Sequence, residues 1–166
     1  MGTGSAAGTG LALGAGLLLL AGAISLAHLG TRSLAAPAGE ARAYLAANKE
    51  KPGVRVTESG LQFEVMTEGE GASPKAEDLV LVHYEGRLAD GTIFDSSYRR
   101  GEPAVFGVTD VIPGWTEGLQ LMRPGGKYRL TIPPELGYGA RGAGGVIPPN
   151  AVLIFDMELL AVAPRP

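Results

Sequence analysis

Between residues 80 and 155 the sequence sets aromatic and branched side chains around one acid: Tyr84, Phe94, Asp95, Phe106, Val111, Ile112, Trp115, Tyr138, Ile147 and Phe155. The chemistry open to such a set is narrow. It holds no nucleophile–base pair, no Cys/His/carboxylate cluster at metal-ligand spacing and no phosphate loop. It offers apolar surface, one carboxylate and two phenols. That kit suits a neutral, rigid, apolar ligand group, and a proline ring is one.

Taken singly, several of these residues have plainer readings. Trp115, Leu119 and Met122 stand at i, i+4 and i+7, the spacing of a buried helix stripe. Phe155 falls in an alternating run, as core strand residues do. Asp95 precedes Ser96 and Ser97 and could be a turn residue. Tyr138 is different, because a tyrosine in a Gly-rich loop is seldom there without use. Elsewhere the candidates are bland. His28 and His83 are far apart and have no cysteine beside them, so no metal site is expected. The glycines at 137–145 lack the lysine and following helix of a P-loop. Glu117 and Glu135 read as solvated.

The elements that must position these residues follow from periodicity. The string at 40–51 is rich in helix formers, with Ala41, Tyr44, Leu45 and Asn48 on one side, and Pro52-Gly53 ends it. Leu61, Phe63 and Val65 alternate with Gln62 and Glu64, predicting a strand. A second strand puts Val80, Val82, Tyr84 and Leu88 on one face, with His83, Glu85 and Arg87 on the other. Asp90-Gly91 marks a hairpin, and the chain returns through 92–96. Short strands are predicted at 105–108 and 127–132, a helix at 113–122 and a last strand at 152–160. A long loop rich in Gly and Pro separates the last two strands. The sum is an α+β fold, a twisted antiparallel β-sheet half-wrapped around one short helix.

Composition narrows the function classes. The chain has 166 residues, 26 Gly and 12 Pro, no Cys and a net charge of −3. One domain plus an appendage fits that length. Without a basic stripe, nucleic acid is not an expected partner. Residues 1–35 contain an apolar run, Leu11 to Leu29, that as a helix would reach about 28 Å and cross a bilayer core. It reads as an anchor or a signal peptide, with Ser33-Leu34-Ala35 as a weak cleavage triplet, ahead of a buried core helix. Gly10 and Gly14 form a GxxxG in this glycine-rich setting. Arg32, Arg42, Lys49 and Lys51 follow the run and no Lys or Arg precedes it, which by the positive-inside rule would hold the domain in the cytoplasm. The expected divisions are 1–35, a linker with a short helix at 36–58, and a domain at 59–163.

The segments VHYEGRLADGTIFDSS, VIPGWTEGLQLM and ELGYGARGAGGVIPPNAVLIFDMELL resemble the FKBP-type peptidyl-prolyl cis-trans isomerases, in that family's order and at nearly its spacing, over roughly Ser59 to Val162. The resemblance implies the fold just derived, with a pocket between sheet and helix, and prolyl isomerase activity without metal or cofactor. It implies Trp115 as the pocket floor and Tyr84, Phe94, Val111, Ile112 and Phe155 as walls, with Phe106 behind. The Ile112 N–H and the Tyr138 hydroxyl would donate to substrate carbonyls, and Ile147 would cap the site. Asp95 would accept from Tyr84 beside Arg100. Implied partners are proline-containing unfolded or exported polypeptides and macrolides of the tacrolimus and rapamycin type. Members with an N-terminal apolar segment are usually exported, which favours an exported or membrane-anchored domain here. The helix at 40–51 is similar to the end of the linker helix in bacterial members whose dimerising domain is replaced here by the apolar run. Ala104, Ala143 and the short stretch Val108–Val111 depart from other members and bear on substrate preference. Two other classes remain: a non-catalytic module that binds proline segments in the same pocket, and a membrane-anchored structural protein with no pocket.

Overall fold

The computed structural model describes residues 38–166. The apolar run and its GxxxG lie outside them. Among the described residues no helix is long and apolar enough to cross a membrane.

Among the described residues seven strands form one antiparallel sheet: β1 (Val54–Val56), β2 (Gln62–Thr67), β3 (Asp78–Leu88), β4 (Ile93–Ser96), β5 (Ala104–Gly107), β6 (Lys127–Ile132) and β7 (Leu153–Pro164). Their order is β1-β2-β6-β7-β3-β4, with β5 also paired to β3. Strand β1 has no counterpart in the periodicity, since three residues are too few to show alternation. The Asp90-Gly91 hairpin forms as expected: the Thr92 N–H donates to the Asp90 carboxylate at 2.9 Å and the Leu88 N–H to the Thr92 carbonyl at 2.9 Å.

Among the described residues three α-helices complete the fold: α1 (Ala38–Asn48), α2 (Ser97–Arg100) and α3 (Pro113–Leu119). The last lies across the inner face of the sheet and is shorter than its apolar stripe, yet Trp115, Leu119 and Met122 are all fully buried. It sits close to β6 because its inner face carries glycines. A Cβ on Gly114 would lie 2.7 Å from Ile132 Cγ2, and one on Gly118 2.6 Å from Leu130 Cδ1. The core fills the space between, with Val80, Val82 and Tyr84 from β3, Leu130 and Ile132 from β6, and Phe155 and Leu159 from β7.

One expectation about faces needs adjustment. Gln62 alternates outward, yet it is buried. The reason is α1, which covers the outer sheet face at β2 and β6. Asn48 Nδ2 donates to Gln62 Oε1 at 2.8 Å, and Gln62 Nε2 donates to the Leu45 carbonyl at 2.8 Å. A period of two reports which residues share a face but not what covers it.

Candidate functional site

The site stands on Trp115, fully buried in the first turn of α3. Three aromatic rings meet it edge-on: Tyr84 at 5.0 Å and 84°, Phe155 at 5.1 Å and 85°, and Phe106 at 5.3 Å and 86° between centroids and planes. Phe94 in turn meets Phe155 at 5.5 Å and 87°. Perpendicular pairs set a ring's positive edge against a negative face, so the box is held by geometry as well as by burial. The indole N–H is buried and has no hydrogen-bond partner among the described residues.

Neighbouring backbone makes room for this box. The inward position of β3 between Tyr84 and Leu88 is Gly86. A Cβ there would stand 2.6 Å from Phe155 and 2.7 Å from Phe94, so only glycine lets both rings lie over the strand. Gly86 stands outside the residue set expected at the site. Its signal was the gap in the alternation Val80, Val82, Tyr84, Leu88.

The polar side of the site is one closed network. The Tyr84 hydroxyl donates to Asp95 Oδ2 at 2.7 Å, Arg100 donates to both the Asp95 carboxylate and the Tyr84 hydroxyl (2.8 Å), and its guanidinium sits 5.4 Å from the Tyr84 ring centroid. The Asp95 side chain is 7% exposed and that of Arg100 29%, so the carboxylate is neutralised away from bulk water. Burial, and then the hydrogen bond to Asp95, push the Tyr84 phenol far above its ordinary range. Burial and the charge of Asp95 push Tyr138 up to about 12. Both phenols therefore stay protonated, as donors, across the neutral range.

The other expected residues gather at the same place. Ile112 is the residue before α3; its carbonyl accepts from Trp115 and Thr116, and among the described residues its own N–H has no backbone acceptor. The segment ahead of it is tied down by Thr116 Oγ1, which donates to the Val108 carbonyl at 2.8 Å. Val111 and Tyr138 are half-buried against the core and Ile147 is buried. Ala143 and Ile147 pair across the tip of the long loop, where the Ala143 N–H donates to the Ile147 carbonyl at 2.9 Å. Ala104 packs against the core. His83 lies on the outer face, and among the described residues no cluster of His and acidic side chains could hold a metal.

Comparison with known proteins gives a consistent result. The description "FKBP-type peptidyl-prolyl cis-trans isomerase" matches residues 70–160, and "domain amino terminal to FKBP-type peptidyl-prolyl isomerase" matches 29–65. The chain is 61% identical over 119 residues to the FKBP-type isomerase FkpA of Aeromonas hydrophila, covering 72% of this chain and 44% of that protein. It is 58% identical over 127 residues to the FKBP-type 22 kDa isomerase of Escherichia coli, covering 76% and 62%. A third relative, from Legionella longbeachae, is named outer membrane protein MIP, at 51% over 120 residues, covering 72% and 52%. The chain thus spans about half the length of the curated relatives it matches. Among solved structures, FkpA from Escherichia coli superposes with a TM-score of 0.75 at 48% identity, over 77% of this chain and 60% of that one. A peptidyl-prolyl isomerase from Pseudomonas syringae gives 0.72 at 43%, over 81% and 99%.

Proposed function

This chain belongs to the FKBP-type peptidyl-prolyl cis-trans isomerase family, and we propose that it accelerates X-Pro isomerisation in proline-containing polypeptides. Rotation about the imide breaks no bond but must overcome a barrier of about 18–20 kcal/mol. Catalysis needs only tighter binding of the twisted imide than of the planar one. The observation that carries the reading is the apolar aromatic box of Trp115 with Tyr84, Phe106 and Phe155. A twisted imide is less dipolar than a planar one, so it loses less on entering such a pocket.

In this reading the proline ring stacks on Trp115, with Phe94, Val111, Ile112 and Phe155 as walls and Ile147 as cap. The Ile112 N–H and the Tyr138 hydroxyl donate to the carbonyls flanking the bond. Asp95 and Arg100 orient Tyr84 and transfer no proton. Macrolides of the tacrolimus type compete for the same floor. The test is an isomer-specific assay on an X-Pro peptide with and without such a macrolide. Acceleration that the macrolide abolishes supports the reading. A folded protein that binds the peptide without accelerating it supports the binding-module alternative instead.

The domain acts on the exported side of a membrane, with residues 11–29 as anchor or signal and 59–163 as the catalytic unit. Support comes from that apolar run and from a relative named as an outer membrane protein. Protease added outside sealed cells after removal of the outer layer should digest the domain. Protection, with the protein still in the membrane after an alkaline wash, would place it in the cytoplasm.

A further inference from the structure

Strand β3 is unevenly partnered. Along one edge β7 accompanies it from Asp78 to Leu88. Along the other, β5 pairs with Leu79–Val82 and β4 with Glu85–Arg87, so His83 and Tyr84 face no strand among the described residues. Helix α2 enters at that gap. Its first residue, Ser97, is fully buried. The Tyr84 N–H donates to Ser97 Oγ at 2.8 Å, and Ser97 Oγ donates back to the Tyr84 carbonyl at 3.2 Å. One hydroxyl thus replaces both ladder bonds that the missing strand would have made.

His83 completes the arrangement. Its Nδ1 lies 2.9 Å from the same oxygen. With the single hydroxyl proton directed at the Tyr84 carbonyl, His83 Nδ1–H is the donor, and Ser97 Oγ accepts twice and donates once. The His83 ring also stacks on Tyr98, the second residue of α2, at 4.5 Å and 12°. Three residues after Ser97 comes Arg100, which closes the network on Tyr84 and Asp95. The intervening turn is fixed at both ends. Ser96 Oγ accepts from the Arg99 N–H at 3.3 Å, and the Gly101 N–H donates to the Tyr98 carbonyl at 3.1 Å.

We propose that Ser97 is a positioning residue for the site: its buried hydroxyl joins the Tyr84 backbone to the start of α2 and so sets where Arg100 meets Tyr84 and Asp95. It touches no substrate and acts only through those residues. The kinetic consequence rests on the isomerase reading, whereas the geometric one does not.

The experiment is a double-mutant cycle of Ser97→Ala and Arg100→Ala in the full chain, with kcat and KM measured on an X-Pro peptide. Ser97→Ala alone should lower kcat/KM about tenfold, mostly in kcat, and should add little to Arg100→Ala. Losses that multiply would overturn the proposal, because Ser97 would then act independently of Arg100. If Ser97→Ala does not fold, Ser97→Cys retains the bulk while weakening every hydrogen bond, and is read the same way. A second readout is the Tyr84 hydroxyl proton in NMR spectra. It should exchange at least about tenfold faster in the Ser97 variant, and should be unmoved by Asn48→Ala, which loosens α1 elsewhere on the sheet. Unchanged exchange in the Ser97 variant would also overturn the proposal. Wild-type protein inert toward every X-Pro peptide would defeat the isomerase reading alone, and the exchange rates would still decide the role of Ser97.

Discussion

Trp115 is core by its burial, and in the proposed reading it is also the surface on which the proline ring rests. Trp115→Leu should keep the fold by circular dichroism, since Leu retains apolar bulk, while costing about 2–3 kcal/mol of stability through the lost ring contacts. Turnover should fall further than stability does, because the proline ring then rests on a softer surface. Asp95 sits in a different position, since removing it leaves the Tyr84 hydroxyl proton without its acceptor and the Arg100 charge without its carboxylate. Asp95→Ala should reduce kcat/KM without a steep pH dependence between about pH 6 and 9. The sign follows from the phenols. Burial raises both, Tyr138 to about 12, so each remains a donor until strongly alkaline pH. Their contribution to stability is present below the ordinary tyrosine value and is lost as pH rises through the raised one. A bell-shaped rate profile near neutrality that vanished with Asp95 would instead indicate proton transfer.

At the scale of elements, α3 is the part whose placement the site most depends on. Gly118 is fully packed against Leu130, and Leu130 is itself buried with nowhere to move. Gly118→Ala gains about 1 kcal/mol of helix propensity, but overpacking costs about 1–3 kcal/mol. The net should be a lower Tm and a weaker grip on a macrolide, because α3 carries Trp115 with it when it lifts from β6. An unchanged macrolide affinity would show that the floor tolerates that displacement. Helix α1 is held differently, with few apolar contacts and a polar latch from Asn48 to Gln62. Asn48→Ala should lower stability by about 1 kcal/mol, read by urea unfolding, and leave turnover unchanged.

For the molecule as a whole, the pocket residues all follow α1, and the core they join is continuous from Leu61 to Leu159. A fragment of residues 51–166 should therefore fold and isomerise X-Pro peptides. Loss of α1 exposes Gln62 and Thr131 to water, which hydrates them, so the fragment's Tm should drop by only a few degrees, at about 4 °C per kcal/mol. An unfolded fragment would mean that the outer-face latch is needed for cooperativity. The Arg87–Asp156–Arg129 ion pairs stay on that same face. Burial opposes the charge of Asp156, but the two guanidiniums outweigh it and hold the carboxyl below its ordinary range. Their contribution to stability is present at neutral pH and is lost as pH falls through that depressed value.

Alternation and turn chemistry were enough to give the inward strand faces and the hairpin at Asp90-Gly91, and residue type was enough to nominate the aromatic set around Trp115. Each of these is written in local periodicity, turn chemistry or residue type, and the family strings preserve them in order. Tertiary structure alone decided what covers Gln62, why Gly86, Gly114 and Gly118 must be bare, and how Ser97 fills the gap between β4 and β5. Those features arise where elements distant in sequence meet. A buried polar side chain or a glycine under a ring is fixed by its partner across the sheet, and no pattern along one strand or helix records where that partner lies.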